Sequence, residues 1–247
     1  MKKIIFTILL IVCLLASFAF VKKGEKETST NVIEKTSVSC SSYNGIDVSH
    51  YQGTIDWEKV AENKQIQFVY LKATEGKTYV DKTYAYNLRQ ARKFGLKVGS
   101  YHYFRMTSSP KQQFENFKKT APKEKQDLIP MIDVETGDKK SKAEVQKALK
   151  EFVKLLTDYY GTEPMFYGTM RSCNTWLAPE FNNYKYYVGR YGNNQPQING
   201  KNGKYIIWQY SEKGSIKGIP KYVDLCRFAK GVSIDDIIIQ KTQNLHN

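Results

Sequence analysis

Leu128-Ile-Pro-Met-Ile-Asp133-Val-Glu135 is the stretch that decides the fold, because it combines a buried strand with two acids. Its apolar and β-branched residues are typical of a strand covered on both faces. Side chains alternate along a strand, so Asp133 and Glu135 point the same way, with carboxyl groups about 5–7 Å apart. Acids this close repel when both are ionised, which raises the pKa of one of them. A protonated acid beside an anion can cleave an acetal.

The Asp-x-Glu pair also has two simpler interpretations, a solvated strand end or half of a magnesium site. No set of His and Cys residues with metal-ligand spacing accompanies the acids, and the chain contains only 3 histidines. We therefore expect neither a metal nor a cofactor, and the rest of the chain has to decide what the two acids do.

The N-terminal segment predicts export from a bacterial cell. Lys2 and Lys3 precede an apolar run, and small residues follow as far as Ala19, which is the pattern of a secretory signal. Apolar character continues to residue 21, so residues 1–21 are either a cleaved signal or a membrane anchor. The mature protein is accordingly expected to be periplasmic, extracellular or anchored to the membrane. Residues 22–42 are polar and lack periodicity, which predicts a flexible linker.

The chain is basic, with a formal net charge of +14. A diffuse positive field attracts polyanions such as nucleic acid, anionic lipid or an anionic cell wall, but no nucleic-acid motif accompanies the charge. We expect no nucleic-acid partner. Export would leave Cys40, Cys173 and Cys226, an odd number, so at least one thiol is unpaired within a monomer.

One domain is predicted over residues 43–240, because neither an internal repeat nor a second linker interrupts it. Eight strands are predicted, beginning near Gly45, Phe68, Lys97, Leu128, Met165, Tyr186, Tyr205 and Tyr222. Helical patterns separate the early strands, whereas the late connections are too short for full helices. The fold class is therefore α/β, a single TIM-like β/α barrel with irregular, helix-poor later strands, and we expect a monomer.

Acids stand at three of the predicted strand ends, namely Asp47, the pair Asp133 and Glu135, and Asp224. Chemistry in β/α barrels collects at the carboxyl face of the strands. Four acids close together at the mouth of one barrel repel one another and so reduce the stability of the fold. Such a cluster is typical of a functional site, and this favours catalysis.

These acids belong to a set of motifs that fall in order over residues 43 to 235. They are Gly45-Ile-Asp-Val-Ser-His-Tyr-Gln-Gly53, Lys72-Ala-Thr-Glu-Gly76, Gly99-Ser-Tyr-His-Tyr-Phe104, Asp133-Val-Glu135, Trp208-Gln-Tyr-Ser211 and Val223-Asp-Leu225. Together they resemble the glycoside hydrolase family 25 lysozymes, or CH-type muramidases. One departure is Cys226, where the family often has Asn.

The resemblance implies a peptidoglycan hydrolase that cleaves the β-1,4 bond between N-acetylmuramic acid and N-acetylglucosamine. It implies that Asp47, Asp133, Glu135 and Asp224 form the acidic site, with Glu135 as the proton donor. Asp133 is expected to stay ionised, either stabilising positive charge on the sugar or orienting the substrate's N-acetyl group as an internal nucleophile. The resemblance favours the second role, with net retention at the anomeric carbon. The spacing of Asp133 and Glu135 in the sequence does not distinguish between the two roles.

Aromatic residues near the strand ends are candidates for stacking on sugar rings, although each could equally pack in the core. The predicted substrate-binding residues are Tyr103, Tyr167, Tyr191, Trp208 and His102. Lys72 and Glu75 are expected to form an internal ion pair.

Three other functions fit parts of the sequence. The first, a catalytically weak carbohydrate-binding barrel that docks on cell wall, would require a missing acid, and none of the four is missing. A chitinase-type hydrolase would show a longer Asp-x-Asp-x-Glu pattern, which is absent from the sequence. A protein that lyses membranes by charge would need a strongly amphipathic cationic helix, and none is evident.

Overall fold

The computed structural model describes residues 42–200 and 203–240. The predicted signal or anchor over residues 1–21 and Cys40 lie outside the described residues, as does the linker except for its last residue. Within the described part, no helix is both long enough and apolar enough to cross a membrane.

The strands of the described chain form a closed barrel. They are β1 (Gly45–Val48), β2 (Phe68–Glu75), β3 (Tyr79–Val80), β4 (Lys97–Tyr103), β5 (Met131–Asp133), β6 (Met165–Thr169), β7 (Tyr186–Gly189), β8 (Ile207–Gly214) and β9 (Val223–Phe228). Their order is β1-β9-β8-β7-β6-β5-β4-β2, and β1 also pairs with β2, which closes the ring. β3 only extends β2 as a hairpin. The predicted eight-stranded barrel is thus confirmed.

Helices cover the first half of the barrel. They are α1 (Trp57–Ala61), α2 (Tyr84–Lys93), α3 (Pro110–Thr120), α4 (Lys142–Tyr160) and α5 (Met170–Ser172), and α5 continues as a π-helical turn over Cys173–Leu177. Short 3-10 turns occur at His50–Gln52, Lys123–Lys125 and Ile234–Asp236. In the described residues between β7 and β9 there is no helix, which confirms the helix-poor later half.

Helix boundaries follow local signals in the sequence. α4 begins with a capping box, in which Ser141 and Glu144 satisfy each other's backbone N–H groups. It ends at Gly161, whose φ of 73° is the left-handed conformation that glycine adopts at low cost. α2 has Thr83 as its N-cap, and Asp81 lies just before it.

Strand alternation divides the core into two layers. Inside the barrel, buried side chains pack on one another, among them Phe68, Tyr70, Met131, Met165, Tyr187 and Ile207. The alternate positions, among them Val69, Val98 and Ile132, face outward and pack against helix residues such as Leu149 and Phe152 of α4. Large side chains fill the barrel interior, and a cleft opens at its mouth.

Two strands differ from the expectation. β9 runs antiparallel to both β8 and β1, so Asp224 lies near the start of its strand rather than at its end. The reversal nevertheless brings Asp224 to the carboxyl face, where it pairs in register with Asp47. β5 is short and ends at Asp133, so Glu135 lies in the following loop and not on the strand.

Candidate active site

A cleft of about 250 Å³ opens at the barrel mouth, where the parallel strands end. It brings together all four predicted acids, Asp47, Asp133, Glu135 and Asp224. Three of the predicted substrate-binding residues also line it, namely Tyr103, Tyr167 and Tyr191. The sequence therefore identified most of the polar wall of this cleft.

Asp47 and Asp224 form a hydrogen-bonded pair across the β1–β9 ladder. Asp47 Oδ2 also accepts hydrogen bonds from Tyr187 Oη at 2.7 Å and from Gln209 Nε2 at 2.9 Å. Burial, followed by the Asp47 charge and the hydrogen bond to it, raises the pKa of Asp224 to about 9. Burial also raises the pKa of Asp47, but its hydrogen-bond donors oppose that shift. Burial and mutual repulsion therefore favour retention of a proton by this pair of carboxyl groups.

Asp133 is 5% exposed and lies on the floor of the cleft. Its Oδ1 contacts no hydrogen-bond partner among the described residues. Burial, with the nearby charge of Glu135, raises the pKa of Asp133 well above its ordinary value, and Lys72 opposes the shift. A buried carboxyl oxygen with no protein partner is available to a hydrogen-bonding group of the substrate.

Glu135 lies at the rim of the cleft, and its Oε2 accepts a 3.3 Å hydrogen bond from Tyr103 Oη. Although the residue is exposed, partial burial of its carboxyl group in the cleft is the main cause of its raised pKa. The hydrogen bond from Tyr103 and the charge of Lys72 lower that pKa in part. The repulsion between the two acids that the sequence predicted raises the pKa of Asp133, whereas burial is the main cause of the raised pKa of Glu135.

A chain of ion pairs supports this side of the cleft. The predicted pair of Lys72 and Glu75 is confirmed, with Nζ and Oε2 2.8 Å apart. Arg105 extends it, because its guanidinium contacts Glu75 Oε1 at 3.1 Å and holds both carboxylate oxygens of Asp138 at 2.8 and 3.0 Å. Lys72 Nζ lies 4.9 Å from the ring centre of Tyr103, so the ammonium also positions the phenol that reaches Glu135.

The loop that carries Glu135 is held from two sides. Asp138 accepts the backbone N–H of Met106 at 2.8 Å in addition to Arg105, and its φ of 44° is unusual for a non-glycine residue. On the other side, the ring of Trp176 packs so closely on Gly137 that a Cβ there would lie 2.5 Å from it. Because β5 has already ended, these contacts rather than strand pairing fix the position of Glu135.

His102 does not belong to the cleft, which corrects its assignment as a substrate-binding residue. It is fully buried, with Nδ1 2.7 Å from Thr74 Oγ1 and Nε2 3.0 Å from Gln113 Oε1. Burial lowers its pKa to about 4, so the ring is neutral. The alternation of β4 explains the outcome, because Tyr101 and Tyr103 face the cleft and His102 must face the helices.

Trp208 is likewise corrected. It is 3% exposed, donates from Nε1 to the Arg190 carbonyl at 2.6 Å, and lies beneath the guanidinium of Arg227. Its neighbour Gln209 faces the cleft instead. Gln209 accepts from Tyr167 Oη at 2.8 Å and donates to Asp47, a role that the sequence analysis missed although strand alternation could have indicated it.

Cys173 and Cys226 are both free and buried. The thiol of Cys226 contacts Tyr187 Oη and lies 3.5 Å from Asp47 Oδ2, and burial raises its pKa well above the ordinary value. The residue that departs from the family pattern is therefore a neutral neighbour of Asp47. Among the described residues, no group of three or more His, Cys, Asp or Glu side chains is arranged to hold a metal ion.

Comparisons with known proteins agree with this architecture. The model of "Glycosyl hydrolases family 25" matches residues 46–219. Protein YegX of Escherichia coli K12 is 34% identical over 184 residues, which is 73% of this chain and 67% of YegX. An autolytic lysozyme of Clostridium acetobutylicum is 31% identical over 195 residues, and the alignment covers 79% of this chain and 58% of that protein.

Solved structures give the same result. A family 25 glycosyl hydrolase from Bacillus anthracis superposes with a TM-score of 0.68 at 32% identity, covering 74% of this chain and 87% of that one. A bacterial lysozyme from Streptomyces coelicolor gives a TM-score of 0.71 at 26% identity, covering 79% and 95%.

Proposed function

Because the chain belongs to glycosyl hydrolases family 25 and is therefore a glycoside hydrolase, we propose that it is an N-acetylmuramidase. Its substrate class is peptidoglycan, in keeping with the lysozymes that it resembles. The bond proposed to be cleaved is the β-1,4 bond between N-acetylmuramic acid and N-acetylglucosamine, with net retention at the anomeric carbon.

One observation carries this proposal, namely the convergence of four carboxyl groups with raised pKa values on one cleft. Like charges and burial together favour retention of protons within the cluster. Such a cluster can supply an acid at neutral pH and keep an anion beside it, which are the two requirements of glycoside hydrolysis.

Glu135 is proposed as the general acid and base. It is the most accessible of the four acids, and its raised pKa suits proton donation to the leaving glycosidic oxygen. As the C1–O bond breaks, the proton of Glu135 moves to the departing sugar and Glu135 is left as a carboxylate. It later removes a proton from the water that attacks C1, which restores the acid.

Asp133 is proposed to orient the substrate's acetamido group. Its unpartnered Oδ1 would accept the acetamido N–H, and such a hydrogen bond favours the ionised form. The proton that Asp133 releases is then available to Glu135. The acetamido carbonyl oxygen bonds to C1 as the leaving group departs, and water displaces it from the opposite face. Two inversions give net retention.

Asp47 and Asp224 are proposed to hold a fixed negative charge behind the reacting sugar. Their shared proton and the donors Tyr187 and Gln209 keep that charge in place. Tyr103, Tyr167 and Tyr191 are proposed to contact sugar rings, since all three line the cleft and Tyr191 is 51% exposed.

The decisive experiment is analysis of the products released from purified peptidoglycan. Borohydride reduction followed by mass spectrometry should find muramic acid at the new reducing ends. N-acetylglucosamine ends would overturn the proposed bond specificity. Proton NMR during hydrolysis should show the β-anomer first, and initial release of the α-anomer would overturn retention.

We further propose that residues 1–21 direct export from a bacterial cell, as a cleaved signal or an anchor. Residues 22–42 would be the linker and residues 43–240 the catalytic barrel, acting as a monomer on the cell wall. Fractionation and N-terminal sequencing of the exported protein test the first point, and light scattering tests the second.

A further inference from the structure

The positive charge of the chain is concentrated in one sector of the barrel. Residues 76–127 contain 12 Lys and Arg against 4 Asp and Glu, so they hold +8 of the net charge of +14 in 52 of 247 residues. This segment builds β3, α2, β4 and α3, which flank the strand that carries Lys72. The positive charge therefore lies mainly on one side of the barrel and is not spread evenly over the surface.

Two adjoining depressions, of about 880 and 660 Å³, run along this sector and share Val80 and Thr120. We call them together the α2–α3 groove. Exposed cations line both parts, namely Lys77, Lys111 and Lys119 in the first, and Lys82, Arg89 and Lys125 in the second. None of these six has a carboxylate within ion-pair distance in the described part of the chain.

Acidic groups do little to neutralise the groove. Glu115 and Asp81 are the acids that line it among the residues described. Asp81 is buried and already accepts hydrogen bonds from His50 and Thr83. A concave surface with six unpaired cations and one exposed acid is complementary to a chain of anions.

The shape and lining of the groove select among polyanions. A flat bilayer surface does not match the concave shape of the two depressions. Nucleic-acid bases require exposed aromatic rings on which to stack, and Tyr84, the aromatic residue of the described lining, is 3% exposed. The fitting partner is a single flexible strand recognised by its backbone charge.

The groove also adjoins the catalytic cleft. The β2–β3 hairpin forms one wall of it through Lys77 and Val80. In the same hairpin, the ring of Tyr79 lies 5.5 Å from Nζ of Lys72, which lines the cleft. A strand held in the groove would therefore keep the barrel mouth close to whatever the strand is attached to.

We propose that the α2–α3 groove binds a linear phosphodiester polymer linked to the cell wall, of the polyol-phosphate type. The polymer is a docking partner and not a substrate, so this inference does not depend on which glycosidic bond is cleaved. Binding along a wall-linked chain places the cleft next to glycan strands.

Two triple variants test the proposal. The groove variant is Lys77→Gln, Lys111→Gln and Lys119→Gln. The control is Lys64→Gln, Lys147→Gln and Lys230→Gln, which removes the same charge from exposed lysines that line neither the groove nor the cleft and form no ion pair among the described residues. Binding of fluorescent poly(glycerol phosphate) is measured at about 0.1 M salt, where exposed charges act over about 10 Å.

The groove variant should lose about tenfold in affinity for the polymer and the control less than about threefold, because exposed contacts are individually weak and act only where they converge. Both variants should keep the wild-type rate on soluble glycan fragments, since none of the six positions lines the cleft. Equal losses in the two variants would show a diffuse field and overturn the proposal. The proposal would also be overturned if the groove variant lost binding to phosphatidylglycerol vesicles or to oligo(dT) but kept its affinity for the polymer.

Discussion

Asp133 and Glu135 differ in their surroundings although they are two positions apart in the sequence. Asp133 is buried and its Oδ1 is unpartnered among the described residues, whereas Glu135 is exposed and accepts from Tyr103. An accessible acid can reach a glycosidic oxygen, and a buried one can hold a fixed substrate group. The separate roles therefore follow from exposure more than from residue type.

Replacing Glu135 by Gln should leave folding and sugar binding intact and remove most of the turnover. General acid–base catalysis contributes typically about 10²–10⁴-fold, so we expect kcat to fall by about that factor on peptidoglycan fragments. Thermal unfolding and sugar-binding titration serve as controls. A loss below about tenfold would exclude Glu135 from the acid role.

Tyr103→Phe should move the upper limb of the kcat/KM profile to higher pH. The Tyr103 hydroxyl donates to ionised Glu135 and thereby lowers its pKa, so its removal favours the protonated acid. The measurement is a pH profile on soluble fragments. A shift to lower pH would contradict the hydrogen bond as the cause.

The Asp133→Asn variant tests whether the charge of Asp133 affects the upper limb of the kcat/KM profile. Burial is the largest cause of the raised pKa of Glu135, so the upper limb of this variant should stay nearly in place while the rate falls. A large downward shift would instead mean that the charge of Asp133 holds the proton on Glu135, as spacing along a strand suggested.

At the level of elements, the loop after β5 matters as much as the strand. Arg105 and Trp176 hold this loop through Asp138 and Gly137. Arg105→Gln should reduce kcat by about 10–100-fold with KM nearly unchanged, because a small misplacement of a reacting group can cost about 10²-fold. Steady-state kinetics separate the two parameters.

A matched control for Arg105 exists in Arg92, which pairs with Asp127 at 3.5 Å and does not line the cleft. Arg92→Gln should leave both parameters unchanged. If Arg105→Gln raised KM alone, the residue would contact substrate and would not position Glu135. Asp138→Asn should reproduce the effect of Arg105→Gln in part.

Strand periodicity and its limits explain which site residues were predictable. The acids and the tyrosines at strand ends were found because their positions follow from where apolar runs stop. His102 and Trp208 were misplaced because proximity to a strand end was given more weight than alternation, which turns both away from the cleft. The reversal of β9 depends on pairing with β1 and β8, and no local pattern encodes it.

For the whole molecule, the barrel was predictable because eight apolar runs with separating helices have few other closed arrangements.

The cluster of acids that the barrel encloses makes the stability of the protein depend on pH. The pKa of Asp224 is about 9 in the folded protein, above its ordinary value of 3.8. As pH rises between these values, the unfolded chain loses its proton first, so the free energy of unfolding falls.

Asp224→Asn should therefore stabilise the protein at pH 7–8 while impairing activity. The asparagine is neutral in both the folded and the unfolded chain, so folding no longer requires the uptake of a proton at this position. The difference in Tm should vanish near pH 4 and grow with pH, by about 2–4 °C for each kcal/mol regained. Calorimetry across pH measures it, with Glu151→Gln on the exposed side of α4 as the control. A variant that melts below the wild type at pH 8 would contradict this account.

The antiparallel β9 also constrains how the chain length can change. Asp224 faces Asp47 only because the register of β9 against β1 and β8 is kept. Deleting or inserting one residue between Val223 and Cys226 would rotate the acid out of the mouth and turn Leu225 into it. Length variation is therefore tolerable in the surface loop after β7 and intolerable in β9, and descendants of this sequence would carry their insertions accordingly.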